Sequence, residues 1–189
     1  MSNDTTCLIV FLNGTSSSGK TTIAGELAER LPDFEYLAID AYWQRDERLA
    51  GQLQQNNTEG ILSAATDVVY AFHRSIASRT AAGRSTIVDH VLDNPAFAEG
   101  CGTTLEPYKV LLVGVYCPLD VAESRERERG DRIPGTARYL FPLVHESKTY
   151  DVTVDTSVLS PSQCAGQIAY AVDRKLYADR TSAEKFGVR

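Results

Sequence analysis

Apolar residues fall along the chain in two kinds of pattern, and each predicts a different element. Residues 7–13 and 110–117 are apolar at nearly every position, which is typical of strands buried on both faces of a parallel sheet. Shorter segments at residues 36–40, 85–89 and 150–155 are candidates for three further strands. These segments therefore supply five candidate strands.

Segments with helical character separate the candidate strands. They cover residues 21–31, a longer stretch from 65 to the stop at Gly83, the strongly charged residues 121–129, and residues 161–178. Strands that alternate with helices predict a doubly wound α/β sheet, and the length predicts a single domain over residues 1–189. The polar, aperiodic residues 46–63 are predicted to run over the surface as an irregular excursion, and residues 181–189 to fray.

Composition and charge exclude several classes of protein. The chain has 19 Lys and Arg against 25 Asp and Glu, so its net charge of −6 argues against a duplex-DNA binder. The four cysteines are scattered without metal-ligand spacing and are expected to be reduced core residues. No signal peptide or membrane-length apolar run is evident. We therefore expect a cytoplasmic protein that binds neither nucleic acid nor membranes.

One motif points directly to chemistry. Gly14-Thr-Ser-Ser-Ser-Gly-Lys-Thr21 is an unbroken G-x-x-x-x-G-K-[ST] sequence between a predicted strand and a predicted helix. In such a loop, successive N–H groups and the helix N-terminus surround a polyphosphate. Lys20 is expected to bridge the β- and γ-phosphates of a nucleoside triphosphate, and the Thr21 hydroxyl to ligate Mg²⁺. The predicted ATP-binding residues are Gly14, Thr15, Ser16, Ser17, Ser18, Gly19, Lys20, Thr21 and Thr22.

The absence of an N-K-x-D guanine-recognition motif and the short chain favour a compact kinase, so an acceptor site is also expected. Asp40 and Asp89 each end a candidate strand and should project toward the phosphate loop. Asp40 can orient an acceptor hydroxyl and take its proton, and the adjacent Tyr42 and Trp43 suit an organic acceptor. Asp89 is expected to hold the water shell of Mg²⁺ or to accept a hydrogen bond from the acceptor. Ordinary strand-end capping is the structural alternative for both carboxylates.

A charged segment follows the second long strand. Its alternating signs indicate a solvated helical face, which is the interpretation kept for Arg125 and Arg127. Arg129 and Arg132 instead precede the helix-breaking pair Pro134-Gly135, so residues 129–138 are predicted to form a small lid. Arginines on a closing segment can neutralise charge on a transferring phosphoryl group. Arg129 and Arg132 are therefore candidate catalytic residues beside Lys20 and Asp40.

With these segments in place, the chain resembles the chloramphenicol phosphotransferase family of phosphate-loop kinases. The resemblance rests on residues 12–20, the Ile39-Asp40 and Val88-Asp89 pairs, residues 114–117, 122–132 and 144–146, and Tyr150-Asp-Val-Thr-Val-Asp-Thr156. It implies a five-stranded parallel sheet, Asp40 as base, and Arg129 and Arg132 in the lid. It also implies that Asp155 and Thr156 lie near the adenine. Residues 46–63 share no motif with the family.

Three functions are open at this point. The first is ATP- and Mg²⁺-dependent phosphorylation of a hydroxyl on a small molecule, with the 3-hydroxyl of chloramphenicol, or a similar antibiotic, as the favoured acceptor. The second is a metabolite kinase of the adenylylsulfate or nucleoside type. The third is a nucleotide-binding regulatory module without catalysis. Phosphorylation of an acceptor panel separates the first two, and nucleotide binding without transfer marks the third.

Overall fold

The protein is seen here as a computed structural model, which describes residues 7–130 and 133–185. Its centre is a five-stranded parallel sheet with the strand order β2-β3-β1-β4-β5. The strands are β1 (Leu8–Asn13), β2 (Phe34–Ala38), β3 (Ser85–His90), β4 (Lys109–Tyr116) and β5 (Val152–Asp155). The doubly wound α/β prediction is confirmed, and each predicted strand overlaps an observed one.

Eight helices connect and cover the strands in the described part of the chain. They are α1 (Lys20–Arg30), α2 (Ile39–Arg45), α3 (Glu47–Gln54), α4 (Thr58–Ala81), α5 (Pro95–Leu105), α6 (Leu119–Arg129), α7 (Thr136–Val144) and α8 (Pro161–Lys185). Helix α7 begins inside the predicted lid, so residues 136–138 are helical, whereas residues 131–132 lie outside the described chain. Helix α8 likewise includes part of the tail that we expected to fray, and residues 186–189 are not described.

The continuous apolar run of β1 is explained by a core on each side of the sheet. Leu8, Val10 and Leu12 pack into one cluster with residues of α1 and α8. Ile9 and Phe11 point to the other side, into a cluster with residues of α4 and α5. Every side chain of the strand is therefore buried, which anchors the loop that follows it. The four cysteines are buried free thiols, as expected.

The prediction of an irregular excursion over residues 46–63 is wrong. This stretch contains α3 and the start of α4, each with a side-chain N-cap. Asp46 accepts a hydrogen bond from Leu49 N at 2.7 Å, and Asn57 accepts one from Gly60 N at 3.2 Å. Leu49 is the one buried residue of α3. The helix is eight residues long and its other leucine, Leu53, is exposed, so the segment is too short for its apolar spacing to distinguish a helix from a loop.

The boundary of the second strand also differs from the prediction. We expected Asp40 to end a strand, but β2 ends at Ala38 and Asp40 lies in the first turn of α2. Asp89 does lie within β3, one residue before its end, and it pairs in register with Ala38. Asp40 therefore reaches this edge of the sheet from a helix, and Asp89 reaches it from a strand.

Candidate active site

A cavity of about 730 Å³ opens beyond the carboxyl ends of the parallel strands. Its lining comes from the phosphate loop, from the segments that follow β2 and β3, and from α6, α7 and the segment after β5. This is where α/β proteins with open parallel sheets bind their ligands. The cavity therefore defines the candidate active site.

The phosphate loop forms the floor of this cavity. Ser16, Ser17, Gly19, Lys20, Thr21 and Thr22 line the cavity, whereas the other predicted loop residues, Gly14, Thr15 and Ser18, are buried outside the lining. Ser17 and Gly19 have positive φ angles of 60° and 98°. Gly14 is required for a different reason, because a Cβ atom there would lie 2.5 Å from the Val115 carbonyl oxygen.

The amine of Lys20 is held over the loop. Lys20 is buried, and its Nζ donates hydrogen bonds of 2.9 Å to the carbonyl oxygens of Gly14 and Thr15. A cation at this position lies beside the start of α1, where the helix dipole also attracts anions. The loop and the lysine together form a positively charged site for a phosphate chain.

A hydrogen bond joins α1 to β3 at the edge of the loop. The Thr21 hydroxyl donates to Asp89 Oδ2 at 2.7 Å, so the two residues predicted to hold Mg²⁺ are in contact. The Tyr36 hydroxyl donates to the same oxygen at 3.3 Å. Burial, and then the charge of Asp89, raise the pKa of Tyr36 far above its usual value, so this hydroxyl stays protonated and remains a donor.

Besides Asp89, three residues were predicted to contact the acceptor, namely Asp40, Tyr42 and Trp43. Asp40 and Trp43 line the cavity. The expectation for Tyr42 does not hold. Its hydroxyl donates to Ser75 Oγ at 2.7 Å, and its ring packs edge-on against Phe72, 4.9 Å between ring centroids. Tyr42 and Trp43 point about 100° apart on α2, and Tyr42 is directed toward Phe72 and Ser75 of α4.

The opposite end of the cavity carries an unexpected arginine. Arg125 Nη1 donates to Thr156 Oγ1 at 2.9 Å, and its Nη2 donates to the Thr156 carbonyl oxygen at 2.8 Å. The Thr156 hydroxyl in turn donates to Ser18 O at 2.7 Å, so α6, the end of β5 and the phosphate loop are joined. Arg125 and Thr156 line the cavity, and the interpretation of Arg125 as part of a solvated face is wrong.

Of the remaining predicted residues, Arg129 lines the cavity and Arg132 lies outside the described chain. Asp155 is not part of the lining. Its Oδ1 accepts hydrogen bonds from the backbone N–H and the hydroxyl of Ser157 at 2.8 Å and 2.6 Å. Asp155 therefore stabilises the turn after β5, and Thr156 is the member of the pair that faces the site.

A buried carboxylate holds the segment after α6 in place. Glu126 is 5% exposed and accepts hydrogen bonds of 2.8 Å from the backbone N–H groups of Gly135 and Ala137, at the start of α7. The Thr15 hydroxyl donates to the Ala137 carbonyl oxygen at 3.2 Å. Sequence reasoning missed Glu126 because alternating charges on a helix usually face solvent.

The three histidines form two clusters near the site, a pair of histidines and a single histidine with a tyrosine. His73 Nε2 and His90 Nε2 are 3.1 Å apart in the core, and burial lowers the pKa of His73 to about 4 and that of His90 well below its usual value. His145 Nδ1 is 2.7 Å from the Tyr150 hydroxyl, which also accepts from Asn13 Nδ2 at 2.8 Å. This second group anchors the end of β1 to the segments around β5.

The loop meets the requirements for a triphosphate and its metal. The side-chain oxygen of Ser17, which lines the cavity, is buried without a partner among the described residues, which leaves a polar group for a ligand to satisfy. In the described chain, no group of three or more His, Cys, Asp and Glu residues forms a complete metal site. Magnesium in such sites is held by few protein ligands, together with phosphate oxygens and water. Thr21 and Asp89 fit that arrangement.

A parallel five-stranded sheet whose first strand leads into a phosphate loop beneath a cavity defines an α/β protein of the phosphate-loop class. The chain belongs to the chloramphenicol phosphotransferase-like protein family, whose model matches residues 7–173. It is 24% identical over 179 residues to a protein of Mycobacterium tuberculosis whose name marks it as an inferred O-phosphotransferase, with 85% of this chain and 80% of that protein covered.

Solved structures share the same fold at low identity. The M. tuberculosis APS kinase in complex with AMPPNP and APS has a TM-score of 0.68 at 14% identity, covering 88% of this chain and 98% of that one. The Acinetobacter baumannii shikimate kinase in complex with shikimate has a TM-score of 0.64 at 16% identity, covering 90% and 96%. At this level of identity the similarity establishes the fold alone.

None of the described helices combines the length and the apolar character needed to cross a bilayer.

Proposed function

We propose that the protein transfers the γ-phosphoryl group of ATP to a hydroxyl of a small molecule, with chloramphenicol or a similar antibiotic as the favoured acceptor. The observation that carries the proposal is the shared cavity: Lys20, on the phosphate loop, and Asp40, on α2, line the same space. A phosphate donor and a hydroxyl acceptor could therefore meet between them. The family assignment supports the same chemistry.

The nucleotide would occupy the half of the cavity formed by the phosphate loop, α6 and the end of β5. Lys20 would turn from the loop carbonyls to the β- and γ-phosphates, and the loop N–H groups would bind the phosphate oxygens. Arg125 and Thr156 would border the nucleoside, and Arg129 the transferring phosphoryl group. Mg²⁺, held by Thr21 and through water by Asp89, would neutralise phosphate charge.

Asp40 would orient the acceptor and receive its proton. The acceptor oxygen forms a bond to the γ-phosphorus while the bond from that phosphorus to the β–γ bridging oxygen breaks, so ADP leaves and the hydroxyl proton passes to the Asp40 carboxylate. Because the transition state of phosphoryl transfer is loose, the position of Asp40 matters more than its basicity. Trp43, on the same helix, supplies an aromatic surface for the acceptor.

A metabolite kinase is the second candidate, favoured by the fold similarity to APS kinase and shikimate kinase. One experiment tests both. The protein is incubated with MgATP and a library of hydroxylated antibiotics and metabolites, and products are searched by mass for the gain of one phosphate. A phosphorylated antibiotic supports the first candidate, and a phosphorylated metabolite supports the second. ATP binding without any product contradicts both and indicates a regulatory module. The Lys20→Met variant is the control for contaminating kinases.

A further inference from the structure

The charged side chains around the cavity are separated by sign. Basic residues line the half next to β4 and β5, where Arg125 and Arg129 on α6 lie beside the phosphate loop and Lys20, with Glu128 as the one acid. On the other half, next to β2 and β3, the charged residues are Asp40, Asp89 and Asp93. Among the described residues lining that half there is no lysine or arginine.

Asp93 has no role in the function proposed above. It lies on the connection from β3 to α5, directly before Asn94, which caps α5. The side chain is half-buried and forms no ion pair with any described residue. Burial raises the pKa of Asp93, while hydrogen bonds from the backbone N–H groups of Asp93 and Asn94, and then the charge of Lys148, act in the opposite direction. Lys148 is outside the cavity lining and donates to the Glu146 carbonyl oxygen at 3.3 Å.

The surroundings of Asp93 in the cavity are apolar and aromatic. The same half is lined by Ile39, Trp43, Val69, Val91 and Phe97. His90 also lines it, and its Nε2 is held 3.1 Å from His73 Nε2 in the core. Asp93 is a half-buried carboxylate without an ion pair among the described residues, in a largely apolar part of the cavity, so a cation on a ligand would stabilise its negative charge further.

Building on the proposed function, we propose that Asp93 is a specificity-determining residue that selects acceptor alcohols carrying a protonated amine. The amine would bind the Asp93 carboxylate while the hydroxyl reaches Asp40, and an aromatic or aliphatic ring would lie against Trp43 and Phe97. The carboxylates of Asp40 and Asp93 repel acceptors that carry a carboxylate, sulfate or phosphate. Within the proposed reaction, this makes an amino-alcohol antibiotic the preferred acceptor, ahead of a neutral amide such as chloramphenicol, and it excludes acids.

Three acceptors that share the same hydroxyl groups but differ in the charge of the group at the nitrogen test this proposal. They are a nitrophenyl aminopropanediol, its N-acetyl amide and its N-succinyl amide, which present an ammonium, a neutral amide and a carboxylate beside the same hydroxyl groups. Phosphoryl transfer from MgATP is measured at pH 7. We expect kcat/KM to be about tenfold or more higher for the ammonium than for the neutral amide, with the succinyl amide lowest. An equal or better neutral amide overturns the proposal.

The Asp93→Asn variant connects this preference to the residue. We expect the ratio of kcat/KM between the ammonium and the neutral amide to fall close to one, with the KM for ATP unchanged. Asp173→Asn, at an exposed position on α8, is the matched control and should keep the wild-type ratio. An unchanged ratio in Asp93→Asn overturns the proposal. The wild-type order of substrates is an independent test if this variant folds poorly.

A failure of the proposed function gives a different result. If no acceptor is phosphorylated, binding of the same three compounds is measured by thermal shift with a non-hydrolysable ATP analogue present. The ammonium compound binding most tightly supports the charge selection by Asp93 even though transfer fails. Equal binding of all three compounds, or binding of none, overturns it.

Discussion

The Thr21 hydroxyl donates a 2.7 Å hydrogen bond to Asp89 Oδ2, and this contact joins the first turn of α1 to the end of β3. The two residues are 68 positions apart in the sequence. Their contact places a hydroxyl and a carboxylate at the edge of the phosphate loop, with a second donor from Tyr36. A carboxylate that is already oriented in this way can bind the water shell of a metal ion without first being ordered.

The first prediction concerns this carboxylate. Asp89→Asn keeps an oxygen that can accept from Thr21 but removes the negative charge, so the fold should be retained and magnesium binding weakened. We expect the Mg²⁺ concentration for half-maximal activity to rise by about tenfold. Titration of activity with MgCl₂ at fixed ATP measures the change. Tyr36→Phe is the control because it removes only the longer hydrogen bond. A magnesium dependence equal to that of the wild type would remove Asp89 from its proposed role.

The second prediction separates binding from transfer. Asp40→Asn should lower kcat by about 10² or more, because the acceptor hydroxyl loses the group that takes its proton. ATP affinity should stay within about twofold, since the phosphate loop and α6 are untouched. Calorimetry with an ATP analogue and single-turnover kinetics give the two quantities. Asp33→Asn, at an exposed position, is the matched control. Unchanged turnover in Asp40→Asn contradicts the assignment.

The third prediction concerns the carboxylate that holds α7. In Glu126→Gln, one of the two N–H groups at the start of α7 faces an amide NH₂ instead of an oxygen. We expect the free energy of unfolding to fall by about 1–3 kcal/mol, because a buried donor loses its acceptor. Because Thr136 and Leu140 of α7 line the cavity, the KM for ATP should also rise. Urea denaturation and steady-state kinetics measure the two effects.

Glu29→Gln, at an exposed position on α1, is the matched control for that variant and should behave as the wild type. A Glu126→Gln variant as stable as the wild type would show that water can replace the carboxylate. In that case the carboxylate does not hold the start of α7 in place.

The fourth prediction is a loss of stability in mild acid. The protein has three histidines, and burial is the main cause that lowers the pKa of each of them, to about 4 for His73 and His145. The imidazoles of the unfolded chain bind protons near pH 6.5, whereas the imidazoles of the folded protein stay neutral at that pH. The free energy of unfolding is therefore highest above pH 6.5 and falls as the pH decreases toward 4.

For the fully buried His73 and His90, the slope should be on the order of 1 kcal/mol per pH unit each. Urea denaturation at pH 7, 6 and 5 measures it. His73→Gln should reduce the slope, because glutamine does not titrate and can still form a hydrogen bond with His90 Nε2. A free energy of unfolding that stays constant from pH 7 to pH 5 would contradict the prediction.

The sequence predicted most accurately the elements whose signal is local. Residues 7–13 were identified as a buried strand because both faces of β1 pack into a core, and the phosphate loop was identified because its chemistry requires those residues at that spacing. By contrast, α3 was missed because it has one buried residue, and the end of β2 was misplaced by two residues. Element boundaries depend on capping contacts that short apolar patterns do not encode.

The sequence by itself determined the fold class and the class of chemistry. It showed an α/β sheet, a phosphate loop and candidate carboxylates at the ends of segments. The tertiary structure decided which side chains share the cavity. It placed Arg125 and Asp93 in the lining, excluded Tyr42 and Asp155 from it, and buried Glu126 under α7. The physical reason is that a motif acts through residues that are neighbours in the sequence, whereas a cavity is lined by segments that are far apart in it. The direction in which each side chain points depends on how those segments pack.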